Sequence, residues 1–137
     1  MEDKDIRYKQ RFENFAKACK LLSEINGFDL NQTPSIICEG FIQRFEITFD
    51  LAWKTLNDYL RFLGHDVQPS PRPVIKEAFA AKIIANGEVF IDMLEARNEM
   101  SPRYNGYDEE TFRKIFVRIK NEFYPAFEEL RIFLESA

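Results

Sequence analysis

The stretch from Ile37 to Leu63 constrains the fold most. Ile37, Phe41, Phe45, Thr48, Ala52, Leu56, Tyr59 and Leu63 are spaced 4-4-3-4-4-3-4. That is the period of one helical face, whereas a strand would alternate at two. A second stripe of Ile42, Phe49, Trp53 and Leu60 widens the apolar surface beyond what one neighbour covers. This helix should be central and packed on two sides. Thr33 is its expected N-cap and Pro34 its first residue, where a missing N–H costs nothing. Gly64 should stop it.

The same period organises the rest. A first helix from about Asp5 to Glu24 carries Tyr8, Phe12, Phe15, Cys19 and Leu22 and should end at Asn26-Gly27. Ser70 is the expected cap of a third helix covering roughly Pro71 to Ile84. Asn86-Gly87 turns into a short fourth, with Val89, Phe90, Met93, Leu94 and Arg97. Ser101 to Tyr107 reads as a loop. Asp108 caps a fifth helix with Phe112, Phe116, Ile119, Phe123, Phe127, Leu130 and Leu134, which Pro125 should kink or split. The expected fold is one all-α, five-helix bundle over residues 1–137, with no linker, repeat or second domain. Fourteen phenylalanines either fill an aromatic core or crowd a subunit interface. Two long helices with wide apolar faces favour a dimer.

Composition excludes several functions. Charged residues make up 31%, and the longest uncharged stretch, Leu30 to Cys38, is far too short to span a bilayer. The start Met-Glu-Asp-Lys-Asp lacks the pattern of a secretory signal, so a cytoplasmic protein with reduced Cys19 and Cys38 is expected. A net charge of −4 offers no global field for nucleic acid, so any such contact must be local. Neither a P-loop, a dinucleotide fingerprint, a nucleophile elbow nor a Cys-x-x-Cys occurs, and the aspartate pair of a nucleotidyl-transfer site is missing. No metal, cofactor or catalytic residue is therefore assigned.

Three groups carry candidate chemistry. Glu46 and Asp50 share a helix face and, with Arg44 nearby, could form a buried polar network, hold a cation, receive an arginine from another helix, or simply be solvated. His65, after Gly64, is placed to interact with the carbonyls of a helix end. Arg97, Asn98, Ser101, Arg103 and Tyr104 gather guanidinium, amide, hydroxyl and phenol groups around one helix-to-loop junction. Arg97, Arg103 and Tyr104 suit phosphate and base contact; the plainer alternative pairs Arg97 with Glu46 or Asp50.

The run from Gly40 to Leu56, GFIQRFEITFDLAWKTL, resembles the signature helix of the nucleotidyltransferase substrate-binding protein family. Ser70 to Phe79 and Met93 to Asn98 agree in order, so the resemblance covers nearly the whole chain. It implies a HEPN-superfamily up-down bundle that forms a homodimer and pairs with a separately encoded minimal nucleotidyltransferase, in some cases as a toxin–antitoxin module. The partner would supply the carboxylates, metal and nucleotide chemistry.

Active members of that superfamily are metal-independent ribonucleases whose motif is Arg followed, after four to six residues, by His. Arg97 and Asn98 match it. The histidine positions hold Pro102, Arg103 and Tyr104. Proline transfers no proton, and Arg and Tyr ordinarily titrate far above neutrality. The degenerate motif favours a non-catalytic binding subunit over the alternative, a ribonuclease. Tyr104 stands at the spacing of a tyrosine that, in some family members, accepts nucleotides from the cognate nucleotidyltransferase.

Overall fold

A computed structural model describes residues 2–100 and 108–137. Its elements are α1 (Glu2–Leu22), α2 (Ser35–Phe62), α3 (Pro71–Ala80), α4 (Gly87–Met100), α5 (Glu109–Arg118) and α6 (Tyr124–Glu135). A 3₁₀ turn, Ser23–Gly27, follows α1. No strand occurs among the described residues, and the chain is the all-α bundle expected. α2 touches α1, α3, α4 and α5. Tyr8 meets Tyr59 near one end of the α1–α2 pair, and Arg44 meets the Leu21 carbonyl near the other, so the two helices run antiparallel.

Both α2 stripes lie largely inside, with Phe41, Ile42, Phe45, Phe49, Ala52, Leu56 and Leu60 buried and Ile37 and Trp53 partly so, whereas Leu63, the last of the first stripe, is exposed. Phe127 of α6 sits 6.2 Å, centroid to centroid, from Phe15 of α1, Phe45 of α2 and Phe90 of α4. Phe123 stacks on Phe45 at 5.1 Å. The phenylalanines mainly build this core. Phe62, Phe79 and Phe133 are the exposed ones.

Pro125 has the expected effect, with a definite geometry. It lacks an N–H, and its ring would collide with the carbonyl four residues back. The chain widens into one π turn over Ile119–Phe123, closed by the Tyr124 N–H on the Ile119 carbonyl. Ile119, Phe123 and Phe127 stay buried across it, so the rod divides into α5 and α6 without losing its inner face.

Three expected helix ends differ. Thr33 does not cap α2. Pro34 takes the boundary position, its carbonyl accepting from the Ile37 and Cys38 N–H groups at 3.0 and 3.1 Å. Thr33 is instead buried in the preceding loop: its hydroxyl donates to the Asp29 carbonyl, and its own carbonyl accepts from Arg113 Nη1 at 3.0 Å. Ser70 stands at the N-cap of α3, but its side chain accepts nothing from the helix. A cap bonds the second or third helical N–H, and the third residue is Pro73. Finally, α3 stops at Ala80 rather than Ile84. Lys82 adopts φ 62°, and the bonds Lys82 N–H to Phe79 O and Ile83 N–H to Ala78 O form a Schellman turn. Gly64 makes the same turn after α2 at φ 94°. A lysine in that conformation costs about 1–2 kcal/mol of steric strain. Asp108 caps α5 as expected, accepting from the Thr111 N–H at 3.2 Å.

Asp58, on α2, is buried against α1. Arg11 Nε comes within 3.2 Å of its Oδ2, too misaligned for a hydrogen bond, so the contact is an ion pair alone. Burial pushes the Asp58 carboxyl up, and Arg11, Arg7 and Arg61 oppose the shift. A raised carboxyl binds protons more readily folded than unfolded, so its contribution to stability falls as pH rises above its ordinary range. Arg11→Met should therefore destabilise the protein more at about pH 7 than at about pH 4.5, where protonation removes the uncompensated charge. Urea titrations of wild type and variant at both pH values check this. An equal loss at both would mean that Arg11 acts by packing.

Candidate functional site

The best-defined polar arrangement outside the core lies where α4 crosses the middle of α2. The C-terminal half of α4 directs Arg97 back over α2, where its guanidinium sits 5.4 Å from the centre of the buried Phe49 ring. Arg97 Nη1 is 3.7 Å from Asp50 Oδ1. Asp50 also holds Lys54 Nζ at 2.8 Å and accepts from Trp53 Nε1 at 3.3 Å. Burial raises the Glu46 carboxyl, and the Arg97 charge partly offsets that rise. Arg97 is thus steadied by one ring and by Asp50, in the field of Glu46, with 30% of its side chain exposed. Asn98, the next residue, is exposed.

Glu46, Asp50 and Arg97 come together, as the helix-face spacing of the two acids allowed. Arg44 does not join them. Two residues before Glu46, it points to the other side of α2, where Nη1 donates to the Leu21 carbonyl at 2.8 Å and pairs with Glu24 at 3.3 Å. Nor is the group fully buried, since Asp50 is 41% exposed at its side chain. Pro102, Arg103 and Tyr104 lie outside the described residues.

His65 also differs from its expected role. Its backbone N–H, not its ring, closes the α2 turn on the Leu60 carbonyl at 2.9 Å. The ring Nδ1 lies 2.6 Å from Glu77 Oε2, clasping the end of α2 to α3. Glu77 is twelve residues away, and no sequence signal pairs them. Arg118 makes another long-range tie, donating to Asp92 of α4 at 3.0 Å as well as to Glu122, four residues on, at 3.0 Å.

Both cysteines are buried and form no disulfide, and the Cys38 thiol donates to the Thr33 carbonyl at 3.9 Å. Burial, reinforced by Glu128, pushes the Cys19 thiol up to about 12, and burial also raises Cys38. Neither is an available thiolate at neutral pH. Among the described residues, no three His, Cys, Asp or Glu side chains gather in a way that could hold a metal ion. No described helix is long and apolar enough to cross a membrane. Chemically, the site offers a partly exposed cation, with no imidazole or activated nucleophile among the described residues around it.

No curated protein matches the sequence. The family model described as nucleotidyltransferase substrate binding protein like matches residues 10–136, from the first helix to the last and across all three blocks that carry the resemblance. The chain therefore belongs to the nucleotidyltransferase substrate binding protein-like family.

Proposed function

We propose that this chain is the non-catalytic, substrate-binding subunit of a separately encoded minimal nucleotidyltransferase, acting as a homodimer within a toxin–antitoxin-like pair. The observation that carries the reading is Arg97, held by Phe49 and Asp50 with 30% of its side chain exposed. A guanidinium fixed before ligand arrives binds phosphate oxygens at low entropic cost. Arg103 and Tyr104 follow closely in sequence and suit the same ligand, a nucleotide or an RNA segment, by phosphate pairing and base stacking. Tyr104 is also the candidate acceptor of a nucleotide transferred by the partner. The carboxylates and metal for that transfer belong to the partner.

The test is nucleotide affinity by calorimetry, for the partner alone and for the complex. The complex should bind nucleotide more tightly, and Arg97→Ala should lose roughly tenfold or more of that affinity, as expected for a charge-assisted contact. Equal affinity with and without this chain would remove the substrate-binding role.

A further inference from the structure

The end of the α1–α2 pair that holds Asp58 presents a second polar surface, well away from Arg97. Phe62 lies twelve residues beyond Asp50, about 18 Å along α2. Tyr8, Tyr59 and Phe62 gather there. The Phe62 ring centre is 5.8 Å from that of Tyr8 and 6.3 Å from that of Tyr59, at interplanar angles of only 20° and 25°. Tyr8 and Tyr59 are buried, whereas Phe62 is 40% exposed. A set of near-parallel rings thus ends in one that solvent reaches. The two buried rings fix its plane, so a flat ligand that extends the stack meets a preset surface.

Three guanidinium groups lie in the same neighbourhood. Arg61 precedes Phe62 on the last turn of α2, and Arg7 and Arg11 stand four residues apart on one face of α1. The charges of all three act on the buried Asp58 carboxyl. Arg11 is its ion-pair partner, at 3.2 Å. Arg7 and Arg61 are exposed and make no ion pair among the described residues. These four side chains carry three positive charges against one negative, within a chain whose net charge is −4. The excess is local, which is the form in which such a chain can attract a polyanion.

Unpaired surface arginines alone are ordinary, and the stacked ring is what narrows the ligand. An acidic protein segment would engage the guanidinium groups and leave the flat ring unused. A nucleotide strand engages both, with phosphates on Arg7 and Arg61 and a base continuing the stack on Phe62. We infer that this end of the α1–α2 pair binds a segment of single-stranded nucleic acid. The site is separate from Arg97, and its test needs no nucleotidyltransferase.

Fluorescence anisotropy of a short labelled oligoadenylate, titrated with the whole chain at several salt concentrations, tests it. Arg7→Gln and Arg61→Gln should each weaken binding and flatten the slope of log K against log salt by about 0.7, as expected for one lost phosphate contact. Phe62→Leu should weaken binding about fivefold or more and leave that slope unchanged, because it removes a stacking face and no charge. Lys114→Gln removes one charge from α5, where the side chain is 74% exposed, and should change affinity little. Misfolding would not separate affinity from salt slope in this way. Failure of the wild type to bind overturns the assignment. Equal losses in Lys114→Gln and Arg61→Gln also overturn it, since the attraction would then be diffuse. A loss in Arg97→Ala with none in the Arg61 and Phe62 variants would put the strand at the Arg97 site instead. Competition by oligoglutamate as strong as that by unlabelled oligoadenylate would make the occupant an acidic protein segment, and the assignment would fall.

Discussion

Phe127→Ala is expected to destabilise the protein by about 3–5 kcal/mol. The ring is fully buried and meets Phe15, Phe45 and Phe90, so one side chain joins four helices. Truncation loses the transfer energy of the ring and leaves a cavity whose walls belong to three other helices. Each wall is pinned by its own packing, which limits collapse. A domain of this size has a total stability of about 5–15 kcal/mol, so a large share would go. Phe133→Ala is the control: its ring is 39% exposed, and its loss should be much smaller. Urea unfolding of both variants makes the comparison. A loss below about 1 kcal/mol for Phe127→Ala would mean that the aromatic cluster repacks and does not organise the core.

Wild-type protein is expected to leave single-stranded RNA intact even in large excess, while Pro102→His should gain measurable cleavage. An acid/base group near neutrality contributes a factor of about 10²–10⁴, and none of Pro102, Arg103 and Tyr104 supplies one. Arg97→Ala in the Pro102→His background should abolish the gain, because charge developing on the phosphate would lose its donor. Proline also fixes φ near −65°, and replacing it can misplace the new imidazole. Wild type is therefore the decisive arm. Robust cleavage by wild type that is lost in Arg97→Ala would show that another residue carries the proton, and the chain would then be an enzyme.

Much of the fold was legible because helical periodicity is a local signal. The stripes of α1, α2 and the α5–α6 rod appear inside as the spacing implied, and the effect of Pro125 follows from one missing N–H. Helix ends were harder where a side chain had two options. Thr33 could cap or anchor, and the Arg113 guanidinium reaching its carbonyl from eighty residues away accompanies the anchor. Asn86 went unrecognised as a cap, although its Oδ1 accepts the Val89 N–H at 3.2 Å. The site was legible where it rests on one helix face, as for Glu46 and Asp50. The partner of His65 and the strain at Lys82 arise from chain paths that local pattern does not encode.

The Tyr8 hydroxyl donates to the Leu134 carbonyl at 3.2 Å, across 126 residues of sequence. α1 and α2 are near neighbours along the chain and can form their hairpin while synthesis continues. The inner stripe of α1, however, also needs α6, which is synthesised more than a hundred residues later. Until then Phe15 and Phe45 lack their shared neighbour Phe127, and the nascent chain carries an uncovered aromatic seam. Loop closure over so long a separation comes late in folding. The docking of α6 is therefore expected late, and a chain stalled before it would expose that seam to chaperones and proteases.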